Sequence, residues 1–184
     1  MAYALYCVIP FSKLNNSNRT IKDAAEIIGR SPAALKMKIC NLAALDPDFL
    51  ATGRVGLWGG ISKLDREIYE EFSKDWEGLS TKAESIVGLP LFDLTEPVYN
   101  GDPHRKKSYA EIADKQARKF FRKSVISAYE GRCCITGQSI PQMVIASHIK
   151  PYYVCDKSER ANPANGLLLN AFYDRAFDQG LMTV

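Results

Sequence analysis

The chain has no apolar run long enough to span a bilayer. The longest one near its start, residues 2–10, is broken by Tyr3, Tyr6 and Pro10, and it carries neither a basic leader nor a small-residue cleavage site. Neither a membrane partner nor a signal peptide is therefore expected, and the cytoplasm is the default compartment. Cysteine is sparse: Cys7, Cys40, Cys133, Cys134 and Cys155 are an odd number at irregular spacing, and no CxxC pair occurs. That argues against a disulfide framework and against a structural zinc site. Histidine occurs only twice in 184 residues. His104 lies beside Arg105, Lys106 and Lys107 and reads as a spectator, which leaves His148.

What is present fits an ordinary folded protein. Hydrophobic residues make up 46% and charged residues 24%, so wholesale disorder is excluded, and the length suits one medium domain or two small ones. The net charge of +3 hides a segregation. Residues 1–60 carry seven basic and four acidic side chains, 61–100 four and nine, 101–128 eight and three, and 129–184 five of each. Two basic stretches flanking an acidic one point to a polyanion partner.

Three segments follow. Over residues 1–87, Thr20 can cap a helix ending at Gly29, and Ser31-Pro32 opens a second with apolar positions Leu35, Leu42 and Leu45. This helix, turn, helix arrangement carries Arg30, Lys36, Lys38 and Asn41, which could face a DNA major groove or form an ordinary solvated face. Ser62 can cap a further helix with Leu64, Ile68, Phe72, Trp76 and Leu79 inward and an acidic face through Asp65 and Glu70. Residues 88–107, rich in Pro, Gly and Asp, read as a linker. Residues 108–184 open with a helix to about Tyr129 on which Lys115, Arg118, Lys119, Arg122 and Lys123 cluster, a set that suits phosphate contacts or plain solvation.

Beyond that helix, Cys133–Thr136 and Met143–Ile149 are short β-prone runs that read as a hairpin. A strand over Gly166–Leu169, a helix capped by Asn170 and ended by Gly180, and a short strand over Leu181–Val184 complete the pattern. His148 closes the second run, Asn165 follows it 17 positions later, and Tyr173, Asp174 and Asp178 share the last helix.

The segments Ser147-His148-Ile149-Lys150-Pro151, Asn165-Gly166-Leu167-Leu168-Leu169 and Tyr173-Asp174-Arg175-Ala176-Phe177-Asp178-Gln179-Gly180 together resemble the HNH endonuclease family, in the branch of predicted restriction endonucleases. Phe121-Arg122 and the stretch Ala128–Gly137 are similar to the lead-in of that branch. Ile9-Pro10-Phe11, Gly29–Pro32, Leu45-Asp46-Pro47 and Ser62-Lys63 are similar to its preceding helical region. The resemblance implies an α+β protein, a helix-turn-helix-like region followed by a ββα-metal nuclease module. Members of the family usually continue past the position of Val184, so a compact member or a fragment is implied.

The implied activity is metal-dependent hydrolysis of DNA phosphodiesters, restriction-type or nicking as in mobile elements and phage; a decayed, DNA-binding descendant is the other reading. Such hydrolysis needs a base for water and a divalent cation, Mg²⁺ first, with Mn²⁺ or Ni²⁺ as alternatives. His148 is the expected base, since a neutral imidazole suits that task near pH 7. Asn165 would support the histidine-bearing loop or the metal site. Tyr173 stands where the second histidine of the motif usually sits, and its protonated phenol is a poor magnesium ligand. Ser147 replaces a carboxylate common before the first histidine. The metal role then falls among Asp174, Asp178 and Ser147, unless Asp174 merely caps the helix and Asp178 merely satisfies its end. Lys150 joins the DNA contacts. Double-stranded DNA is the implied partner, and one cut strand per site implies a homodimer.

Overall fold

A computed structural model describes residues 1–87 and 109–184. The expected linker over 88–107, and His104 with it, lies outside the described residues. In the helical region the apolar start becomes core: α1 (Ala2–Val8) buries Tyr3, Ala4 and Leu5 and packs against three later helices. The second helix, α2 (Arg19–Ile27), is capped by Asn18, whose side chain accepts the Ile21 N–H, rather than by Thr20. Gly29 ends it in the left-handed region at φ +63°. Ser31 then caps α3 (Pro32–Ala43) through the Ala34 N–H, with proline at the first position as the sequence predicts. After α3 the Asp46 carboxylate caps a further short helix, α4 (Pro47–Ala51).

The single helix expected after Ser62 is two. A capping box joins Ser62 and Asp65 at the start of α5 (Lys63–Phe72), and α6 (Trp76–Val87) starts afresh after Asp75 accepts the Gly78 N–H. Asp65 is not on the solvated acidic face. It is 6% exposed and takes a 2.6 Å ion pair from Lys38. Burial alone would push its carboxyl up, but the hydrogen bonds from Lys38 and Ser62 outweigh burial and hold it below the usual range.

The long basic helix forms as predicted: α7 (Tyr109–Ala128). Ala117 and Phe120 enter the core of the helical region, where Ala161 joins them. Phe121 and Val125 enter a second core with Cys133, Val144 and Leu168. Ala128 is exposed because the helix ends there beyond both cores.

The expected hairpin is not the one that forms. β1 (Val144–His148) pairs antiparallel with β2 (Gly166–Asn170), with Ala146 opposite Leu168 and His148 opposite Gly166. Residues 133–136 instead turn back on themselves, the Gly137 N–H reaching the Cys133 carbonyl, and meet β2 through the Cys134 N–H to the Leu168 carbonyl and through Asn170, which donates its N–H to Cys133 Sγ and its Nδ2 to Thr136 Oγ1. Between the two strands the chain makes a 17-residue excursion holding α8 (Lys157–Arg160). Asn170 caps α9 (Ala171–Asp178) through the Tyr173 N–H, and Gly180 follows it in the left-handed region. Leu181–Val184, expected as a short strand, form none. The described residues thus form an α+β fold whose sheet and last helix hold His148.

Candidate active site

His148 is the last residue of β1 and is packed on three sides. Its ring lies parallel to Phe121 of α7, centroids 3.6 Å apart, and meets the edge of Tyr152 at 5.4 Å. Its Nε2 is 3.0 Å from the carbonyl oxygen of Arg160 at the end of α8. A carbonyl can only accept, so Nε2 carries the proton and the neutral ring keeps its lone pair on Nδ1. Nδ1 has no hydrogen-bond partner among the described residues. Burial lowers the imidazole below its ordinary value of about 6.5. The Arg118 charge adds to that, and the bond to the Arg160 carbonyl opposes it. The net effect favours the neutral base at pH 7.

The stacking depends on Gly166. A Cβ there would come within 2.5 Å of Val125 Cγ2 and 2.9 Å of Phe121 Cζ, so only glycine lets β2 start this close to α7. Tyr152 is itself held. Its hydroxyl donates to Asp114, which also takes a 3.0 Å ion pair from Arg118, and the Arg118 guanidinium sits 3.8 Å above the Tyr152 ring. The bond from Tyr152, then that from Arg118, hold the Asp114 carboxyl below the usual range. Phe121 enters the sequence reading only through the lead-in motif, and Tyr152, Asp114 and the Arg160 carbonyl were missed as parts of the site. The aromatic pair Tyr152-Tyr153 four residues after His148 was a usable signal. A backbone carbonyl leaves none.

Asn165 clamps the loop that follows the histidine. Its Oδ1 accepts the Lys150 N–H at 2.8 Å, and its Nδ2 donates to the Lys150 carbonyl and to Cys155 Sγ. Its own carbonyl accepts the Ile149 N–H.

His148 borders an open groove of about 620 Å³ between β1 and α9. Asp174, Phe177 and Asp178 border it from the helix. Ser147 is 6% exposed and its Oγ donates to Asp174 Oδ1 at 2.5 Å, so it orients that carboxylate. Tyr173, expected at a catalytic position, is not among the residues bordering this groove. It stands one residue, hence about 100° of helix, from Asp174 and has its ring against Phe172.

Residues 133–184 match the family model described as HNH endonuclease. This segment is an HNH domain. No curated protein and no solved structure matches the chain. A domain of this family suggests a nuclease that acts on DNA, and such nucleases generally use a divalent metal.

Among the described residues no three His, Cys, Asp or Glu side chains gather as a closed metal cage. The donors along the groove fit a hard cation of another kind. One or two carboxylates, Asp174 and Asp178, leave the remaining positions to phosphate oxygens and water, which is how Mg²⁺ is commonly held.

The expected DNA contacts separate into groups. Asn41 is a correction: it is 1% exposed, and both its Nδ2 hydrogen bonds go to the carbonyls of Leu57 and Gly59, so it secures the glycine-rich loop over residues 53–60 and cannot read a base. Lys38 is tied to Asp65 and the Gly60 carbonyl. Arg118 is tied to Asp114, and Lys150 to Glu159 at 2.5 Å, which raises the lysine. Lys119, Arg122 and Lys123 are half-buried on α7. Arg30 and Lys115 are exposed, Lys36 is half-buried, and these three have no ion pair among the described residues.

Proposed function

We propose that the protein is a metal-dependent endonuclease of restriction type that hydrolyses DNA phosphodiester bonds with His148 as the general base. The observation that carries this reading is the hydrogen bond from His148 Nε2 to the Arg160 carbonyl. It leaves the basic lone pair on Nδ1, in a ring that borders the groove shared with Asp174. Nδ1 takes a proton from water as that water attacks phosphorus. Phe121 and Tyr152 hold the ring in place, and Asn165 keeps the loop behind it fixed. Asp174, oriented by Ser147, and Asp178 would hold the divalent ion, with Mg²⁺ first and Mn²⁺ or Ni²⁺ as alternatives. When bound, the ion shields charge on the phosphate and helps the leaving oxygen. Arg30, Lys36 and Lys115 serve as phosphate contacts, so removing one should lower the salt dependence of binding by about 0.9 in the log-log slope. Each active site cuts one strand, so cutting a duplex calls for a homodimer.

A cleavage assay on varied duplex DNA in Mg²⁺, Mn²⁺ and Ni²⁺, with His148→Ala as control, tests the proposal. Metal-dependent cutting lost in the variant is the expected result. DNA binding without cutting in any metal would favour a second reading, a non-catalytic DNA-binding protein, which draws support from Tyr173 at the position of the motif's second histidine. Single-strand nicks alone would favour a nicking enzyme of the mobile-element or phage kind.

A further inference from the structure

A second cavity, of about 260 Å³, lies where the helical region meets the far end of α7. This is the share of roughly nine liquid waters. Tyr6, Phe11, Phe49 and Trp76 give it aromatic walls, and three of these rings are already packed together: Phe11 lies 4.6 Å from Phe49, and Tyr6 meets Phe49 edge-on at 6.3 Å. Asp46, Asp48 and Glu130 also line it, against one cation, Arg54, which is paired with Glu130 at 2.9 Å. The lining therefore has a surplus of two negative charges, which disfavours a phosphate or any other anion.

Two further features mark this cavity as built. The Ser124 side chain, on the α7 face that lines it, is 2% exposed and its Oγ has no hydrogen-bond partner. An unsatisfied buried hydroxyl is unfavourable, so it calls for an occupant that bonds to it. Glu130 sits at φ +53°, the only non-glycine residue in the left-handed region among the described residues. There Arg54 and the Ser12 hydroxyl bind its carboxylate at the cavity wall. Asp46 is already used by the Tyr6 hydroxyl at 2.5 Å and by the α4 cap. Asp48 is exposed at the mouth and has no ion pair among the described residues.

We propose that this cavity binds a small organic amine, a protonated nitrogen on a single-ring apolar body, at a site separate from the nuclease groove. Aromatic faces attract a cation, Asp48 supplies the opposite charge, and Ser124 Oγ accepts an N–H. The proposal stands apart from the nuclease reading, because its test reads binding and not cleavage.

The test uses the full chain carrying Trp58→Phe, so that Trp76 in the cavity wall is the single tryptophan and is excited selectively over the tyrosines. Phenethylamine, 2-phenylethanol and 3-phenylpropionate are titrated against Trp76 emission. Phenethylamine should saturate with a Kd of about 1 mM or tighter, a fair limit for a fragment of this size. The neutral alcohol should bind at least several-fold more weakly, and the acid not at all. Asp48→Asn and Ser124→Ala should each weaken the amine about fivefold, the equivalent of a modest charge or hydrogen-bond contribution. Ser124→Ala should leave the melting temperature unchanged or raised. No saturation by the amine, equal binding of all three probes, or a lowered melting temperature in Ser124→Ala would each overturn the proposal, the last by showing that the hydroxyl is already satisfied within the fold.

Discussion

Asn41 in the helical region and Asn165 in the HNH domain do the same mechanical work with different consequences. Each side chain bonds to the backbone of a neighbouring loop: Asn41 to the carbonyls of Leu57 and Gly59, Asn165 to the N–H and carbonyl of Lys150. The loop that Asn41 holds carries exposed Val55 and Trp58. The loop that Asn165 holds begins one residue after His148. Nearby ion pairs repeat the contrast, since Lys38–Asp65 is largely sheltered on its acidic side whereas Lys150–Glu159 stands in solvent. An amide or a cation therefore does not mark a site by its type. What matters is whether the backbone it fixes carries a reactive group beside open space.

The largest expected effect belongs to the imidazole. His148→Ala should lower the cleavage rate by about 10²–10⁴-fold, the usual contribution of a general base, measured in single turnover with saturating metal. Asn165→Ala should lower the rate by about 10–100-fold, as loss of a supporting partner commonly does, with an accompanying loss of stability. Asn41→Ala breaks the comparison if the two asparagines are equivalent. It should cost about 1–3 kcal/mol in chemical denaturation by leaving two carbonyls without their donor, yet leave the cleavage rate of the folded fraction unchanged.

Gly166→Ala should cost about 1–3 kcal/mol, because the new methyl group presses on Val125 and on the Phe121 ring that backs His148. A variant as stable as the parent would show that β2 can move away from α7. The smallest effect is electrostatic. Arg118 lowers the His148 imidazole, so Arg118→Gln should move its titration upward by a few tenths of a pH unit. Proton NMR can follow this directly, since the chain has only two histidines. The acid limb of the cleavage profile should shift the same way.

The sign of the stability effect follows from the same depression. The unfolded imidazole titrates near 6.5 and the folded one below that. Between those two values the unfolded chain holds more protons, so His148 makes stability fall as pH drops through that window and rise as pH returns toward 7.

Much of the local structure was readable in advance because its causes are local. Ser31-Pro32, Ser62 and Asn170 open helices with side chains that accept the N–H three positions ahead, and Gly29 and Gly180 end them where φ must be positive. Such interactions need no knowledge of the rest of the chain. The hairpin failed for the opposite reason. Both β-prone runs before Ile149 satisfy the strand pattern, but the second found a better partner in Gly166–Asn170, 17 residues on, and the first stayed a turn.

By itself the sequence determined the helix starts and stops, the long basic helix and the motif that singles out His148, all of which rest on neighbours within a few residues or on side-chain identity. Only the tertiary structure decided which nitrogen of that ring keeps its lone pair, that Asp174 and not Tyr173 borders the groove, and that Asn41 is enclosed. Each of these turns on a contact between segments distant along the chain, such as β1 with α8, β1 with α9, or α3 with the glycine-rich loop. Burial and hydrogen-bond partners at that range are set by packing, which no local spacing encodes.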